Sequence, residues 1–260
     1  MSDSLSSIPS RPVEPLPVSP RPLRLNLAAL TAEELGHLLG AEAAQRLMPE
    51  VSQARLESRA VLGDSVPPEQ TYQAQDERSW GGTPELARQL SALRLELTQQ
   101  GGLDLGVYYL PLLSEVRHLR AFLYSPDTAL ALRWSETPEG GRARVPFLLA
   151  ATLLRDRASG TAAVLSSTSE LPFVPTQSEE IDARLLQGAG VQALLEAHRA
   201  QVSRHGRGVR LGQVAGHEQT DWLKVHALVR QLNLAAWTRR GVLVPAGERP
   251  GPDSSWPATK

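Results

Sequence analysis

Residues 198–210, HRAQVSRHGRGVR, carry Arg199, Arg204, Arg207 and Arg210 with His198 and His205, and no acidic side chain. Guanidinium groups hold phosphate or carboxylate oxygens through paired N–H donors, so such a run is a candidate anion or nucleic-acid contact. An ordinary reading competes and is favoured. Cations are stabilised at a helix C-terminus, and Gly206 is the expected terminator. Glu179, Glu180, Glu218 and Asp221 are then the candidates to neutralise the cluster in three dimensions.

Other chemistry is thinner. His198 and His205 lie two helical turns apart, about 10 Å, too far for two ligands of one metal. His217 and Asp221 have a better spacing, but a carboxylate at a helix start is favoured without any metal. Ser166-Ser167-Thr168-Ser169 has no base placed by a motif and reads as strand-edge and turn chemistry. Gly206, Gly208 and Gly212 follow a helix, where a dinucleotide site needs a strand. GxxxxGK[ST], GxSxG, HExxH and calcium-loop patterns are absent, and no catalytic residue, metal ligand or cofactor site is assigned. With no cysteine, thiolate catalysis, iron–sulfur clusters and cysteine-bound zinc are excluded.

The elements that must position these residues read as α+β. Residues 103–168 alternate apolar runs with turn signals, which predicts an antiparallel meander of four to five strands. Leu119, Ala121 and Leu123 share one face and His118 and Arg120 the other; Leu130, Leu132 and Trp134 oppose Arg133 and Ser135. That alternation predicts a sheet wet on one side. Residues 144–156 are apolar on both faces and read as a long strand, with a helix as the alternative. The two C-terminal helices are expected to cover one face of the sheet.

Helix punctuation is clear in places. Thr31 and Glu34 form a capping box, and Leu35, Leu38, Leu39 and Leu47 continue a stripe up to Pro49. Residues 51–62 read as a weaker helix. Thr83-Pro84 opens a helix that Gly101-Gly102 closes. Ser178 is expected to cap a helix over Glu179 to Leu186, broken at Gly188–Gly190, with a second segment from Val191 to Gly206. The last helix runs from Thr220 to Arg240, with Trp222, Val225, Val229, Leu232 and Ala236 inward and Trp237 at the core edge. Gly241 ends it, and Val242–Val244 is a short edge strand.

The expected organisation is a disordered proline-rich tail over 1–23, a helical segment over 24–102, an α+β domain over 103–245 and a disordered tail over 246–260. The formal net charge is −1, and only Lys224 and Lys260 of the 27 basic residues are lysine, as GC-rich bacterial coding produces. No secretory signal or membrane span is visible, so a bacterial cytoplasmic protein is expected. The favoured function is a non-enzymatic binding or adaptor module for a protein or a small apolar ligand. The alternatives are nucleic-acid association through 198–210, and an enzyme whose site assembles only in three dimensions. A homodimer through the last helix is a further possible partnership.

Overall fold

The computed structural model describes residues 22–111, 116–124, 126–136, 145–157, 159–170 and 175–246. Most of both expected tails, the turn at 137–144 and Pro172 lie outside these residues.

The predicted meander forms five antiparallel strands: β4 (Leu103–Tyr109), β5 (His118–Tyr124), β6 (Thr128–Trp134), β7 (Phe147–Leu153) and β8 (Ala163–Ser167). Residues 147–153 are therefore strand, and β7 is an interior strand, with every residue but Leu153 buried. Two strands extend the sheet to seven. β3 (Gln73–Gln75) pairs antiparallel with β4, and β9 (Ile181–Leu185) pairs parallel with β8.

β9 corrects the helix expected over 179–186. Glu179 and Glu180 just before it favour a helix, but propensity is a weak prior, whereas pairing with β8 satisfies an otherwise open sheet edge and buries Ile181 in the core.

The sheet is covered on both faces, not one. Helix α4 (Val191–His205) lies with α3 (Pro84–Gln99) against Phe122, Leu130, Leu132 and Leu148. Helix α5 (Glu218–Arg239) lies on the opposite face, where Trp222, Val225 and Val229 meet Leu119, Ala121, Leu149 and Leu165. The face expected to be wet is thus buried. Arg120 misled the reading: it is 5% exposed. Its guanidinium donates to Asp104 at 2.8 Å and to Glu77 at 2.7 and 2.9 Å, and Arg94 bridges the same two carboxylates. A buried cation is tolerated when it is paired this fully.

The stretch before the meander is mixed rather than helical throughout. It contains β1 (Leu23–Asn26), α1 (Ala32–Leu39), α2 (Ala41–Leu56) and β2 (Leu62–Val66) before β3 and α3. The Thr31–Glu34 capping box is formed. Its helix, however, ends at Gly40 (φ +80°), and Pro49 sits inside α2. Pro49 is on the exposed side, so the carbonyl it leaves free reaches water, while buried Ala44, Val51 and Ala54 hold the opposite face. The weaker helix expected over 51–62 ends at Leu56, and Leu62 begins β2.

A second sheet, in the order β10 (Leu243–Pro245), β1, β2, ties the first and last described strands together. Its core with α1 and α2 takes in Leu234 and Trp237 of α5. At about 1.5 Å per residue the 22-residue α5 spans roughly 33 Å, so one helix serves both cores.

Candidate anion-binding cleft

Gly206 ends α4 as predicted, but the chain that follows is a clamp rather than a free loop. Arg155 N–H donates to Arg207 O at 2.9 Å, Val209 N–H to Leu153 O at 2.8 Å, and Leu211 N–H to Pro126 O at 2.7 Å. Residues 207–211 therefore run along the end of β7 and reach the β5–β6 turn. Gly208 is buried there, and a Cβ on it would stand 2.3 Å from Asp127 Oδ2. Only glycine lets the segment approach so closely.

This clamp, α4 and the β5–β6 turn enclose a cleft of about 610 Å³, lined by Arg155, Arg199, Arg207, Arg210, Tyr124, Asp127, Leu195, His198 and Val202 among others. Three of the four sequence-predicted arginines thus come together: Arg199 from α4, and Arg207 and Arg210 from the clamp. Arg204 does not line the cleft and sits 3.9 Å from Asp182 Oδ2, which His205 Nε2 holds at 2.8 Å. Helical geometry explains the split, because Arg199 and Arg204 are five residues apart and point different ways.

Arg155 was missed; it is distant in sequence, and nothing local marks it. Arg199 donates to Tyr124 Oη at 3.0 Å. The side chains of Arg155, Arg207 and Arg210 make no hydrogen bond or ion pair among the described residues. Two of the four expected neutralising acids are engaged elsewhere: Glu179 approaches Arg239, and Asp221 holds Lys224 and the Gly212 N–H.

Among the described residues Asp127 is the one acid lining the cleft. Burial pushes its carboxyl above the ordinary aspartate range, against bonds from Thr128 and Gly208 and the charge of Arg199. It begins a buried polar chain. Thr128 Oγ1 lies 3.2 Å from Asp127 Oδ1 and 3.1 Å from Thr152 Oγ1; Thr152 Oγ1 lies 3.0 Å from His198 Nε2. Ser166 Oγ lies 2.8 Å from His198 Nδ1 and donates to Gln201 Oε1 at 2.9 Å.

Counting protons assigns the directions. Ser166 spends its proton on Gln201, so it accepts from His198 Nδ1–H, and neutral Nε2 accepts from Thr152. Burial holds His198 neutral, with a pKa lowered to about 4. Thr152 then needs the proton of Thr128, which Asp127 also claims.

The Ser166–His198 contact has nucleophile–base spacing, yet both residues are almost wholly buried, at 0% and 2% exposure. Ser166 lies inside the sheet rather than at a strand edge, and its proton is already committed, so it is not placed to attack a substrate. The arrangement is a packed polar core beneath a cationic cleft.

Among the described residues no cluster of three His, Cys, Asp or Glu is placed to hold a metal ion, and no helix is long and apolar enough to cross a membrane. Comparison with protein-family models, with curated proteins and with solved structures found no match.

Proposed function

We propose that the protein is a non-enzymatic binding or adaptor module that captures an acidic segment of a partner protein in the arginine-lined cleft. The observation that carries this reading is the convergence of Arg155, Arg199, Arg207 and Arg210 on one concavity with Asp127 as the single opposing acid among the described residues. Exposed guanidiniums without internal partners are free to take bidentate carboxylates. A cleft of about 610 Å³ is of the size that holds a discrete ligand or a few side chains. Leu195, Val202 and Tyr124 supply apolar surface beside the arginines, which favours an amphipathic protein segment over the small apolar ligand, the other occupant expected from sequence.

Nucleic-acid association draws on the same arginines, but among the described residues Tyr124 is the only aromatic one lining the cleft, where single-stranded binding uses successive stacking platforms. Fluorescence anisotropy with a labelled glutamate-rich peptide and a labelled single-stranded oligonucleotide separates the readings. The proposal expects peptide binding that survives 150 mM salt and is lost in Arg207→Glu. Oligonucleotide binding that exceeds peptide binding at that salt would overturn it in favour of nucleic acid.

A further inference from the structure

A second, smaller recess lies on the other face of the sheet, under α5, with a volume of about 130 Å³. Its polar lining includes Tyr72, Arg133 from β6, and His226 and Arg230 from α5; the sheet contributes apolar residues such as Leu119 and Leu149. The two arginines are held in a similar way. Arg133 Nη2 reaches Val116 O at 3.4 Å, with its guanidinium 5.8 Å from the Phe147 ring centre. Arg230 Nη2 donates to Pro67 O. Each spends one arm on a backbone carbonyl, while both Nε atoms are buried without a hydrogen-bond partner, as is His226 Nε2.

Neither arginine has an ion-pair partner among the described residues. Burial lowers the pKa of both, but an arginine remains charged in a protein. Both side chains are half-buried with their Nε atoms out of water, and neither gains a counter-ion among the described residues, which is costly unless something else supplies one. Tyr72 keeps its proton, since burial raises its pKa to about 12, and so adds a hydroxyl rather than a phenolate. His226 is neutral, with burial lowering its pKa to about 3 ahead of the charge on Arg133.

The geometry points to a binding site for a small organic monocarboxylate, with its carboxylate facing the guanidiniums of Arg133 and Arg230 in the recess and its apolar part against Leu119 and Leu149. A guanidinium edge matches the two oxygens of a carboxylate. The apolar wall distinguishes this ligand from inorganic phosphate, which would leave that wall bare. A cavity near this size accepts a benzene-sized body, so the ligand has about six to nine non-hydrogen atoms. The site is independent of the cleft on the opposite face.

Isothermal calorimetry on the full chain tests this with benzoate, pentanoate, benzamide and inorganic phosphate. Benzoate or pentanoate should bind with a sub-millimolar Kd, and Arg230→Gln should weaken binding about 10-fold or more. Benzamide and phosphate should bind far more weakly. Because Arg230→Gln alters folding stability as well, thermal unfolding with and without benzoate accompanies it: benzoate should raise the wild-type Tm and leave that of the variant unchanged. Arg207→Glu, in the other cleft, should retain benzoate affinity within two-fold. The assignment is overturned if neither carboxylate binds below 10 mM, if phosphate or benzamide equals benzoate, or if Arg230→Gln binds benzoate as the wild type does.

Discussion

Replacing Glu34 with glutamine should cost about 2–3 kcal/mol of stability at neutral pH, and the cost should shrink in acid. Glu34 joins three parts of the chain. Its carboxylate accepts from Arg240 Nη2 at 2.9 and 3.0 Å, from Thr176 N–H at 2.7 Å and Oγ1 at 2.9 Å, and from Thr31 N–H at 2.8 Å. Burial alone would raise its pKa, but the bonds from Arg240, Thr176 and Thr31 outweigh it and bring it from 4.5 to about 2. A shift of that size corresponds to about 3 kcal/mol favouring the charged form. Breaking a buried pair costs about 3–5 kcal/mol, discounted here because the Arg240 side chain is 32% exposed.

Glutamine can keep the capping-box acceptor and removes the charge, but its NH2 then stands where Oε1 accepted from Thr176 N–H, so the variant loses the ion pair and that bond together. The sign is fixed by the lowered pKa: the stabilisation is present above about pH 4.5 and is lost as pH falls toward 2. Urea unfolding of both proteins at pH 7 and pH 3 reads this directly. The difference should fall by half or more at the lower pH. A difference below about 0.5 kcal/mol at pH 7, or one unchanged at pH 3, would refute the reasoning.

A separate pH window belongs to the buried histidines. With folded pKa values of about 4 for His198 and about 3 for His226, the unfolded chain takes up protons first, so stability falls as pH drops below 6.5. For His198 alone the loss is on the order of 3 kcal/mol by pH 4, and a flat urea midpoint between pH 7.5 and 4.5 would contradict it. Thr152→Val keeps shape but leaves His198 Nε2 without a donor; an expected loss of about 1–3 kcal/mol is checked by denaturation. Gly208→Ala forces the Asp127 carboxyl to move and should weaken acidic-peptide binding together with stability; unchanged values of both would mean the clamp does not need its close approach.

How much was legible follows from how local each signal was. The Thr31 and Thr83 caps, the meander and the start of α4 rest on neighbouring residues, and each is formed. The β9 strand was illegible because pairing with β8, not its own sequence, decides it. Arg120 read as a solvent residue because its partners Glu77 and Asp104 are 43 and 16 residues away. The basic segment was seen, but its division was not: helix geometry sends Arg204 toward Asp182, and the clamp brings in Arg155. Arg133 and Arg230 carried no signal, since only the fold puts a β6 residue beside α5.

That division of the arginines offers the most direct test of the cleft. Anisotropy titration of a labelled glutamate-rich peptide should be carried out on the wild type, Arg207→Glu and Arg204→Glu. Arg207 lines the cleft without an internal partner, whereas Arg204 lies off it. Loss of one charge-assisted contact weakens binding about 10-fold or more, so Arg207→Glu should show that loss while Arg204→Glu stays within about two-fold of wild type. Equal losses in the two variants, or no loss in Arg207→Glu, would contradict the account.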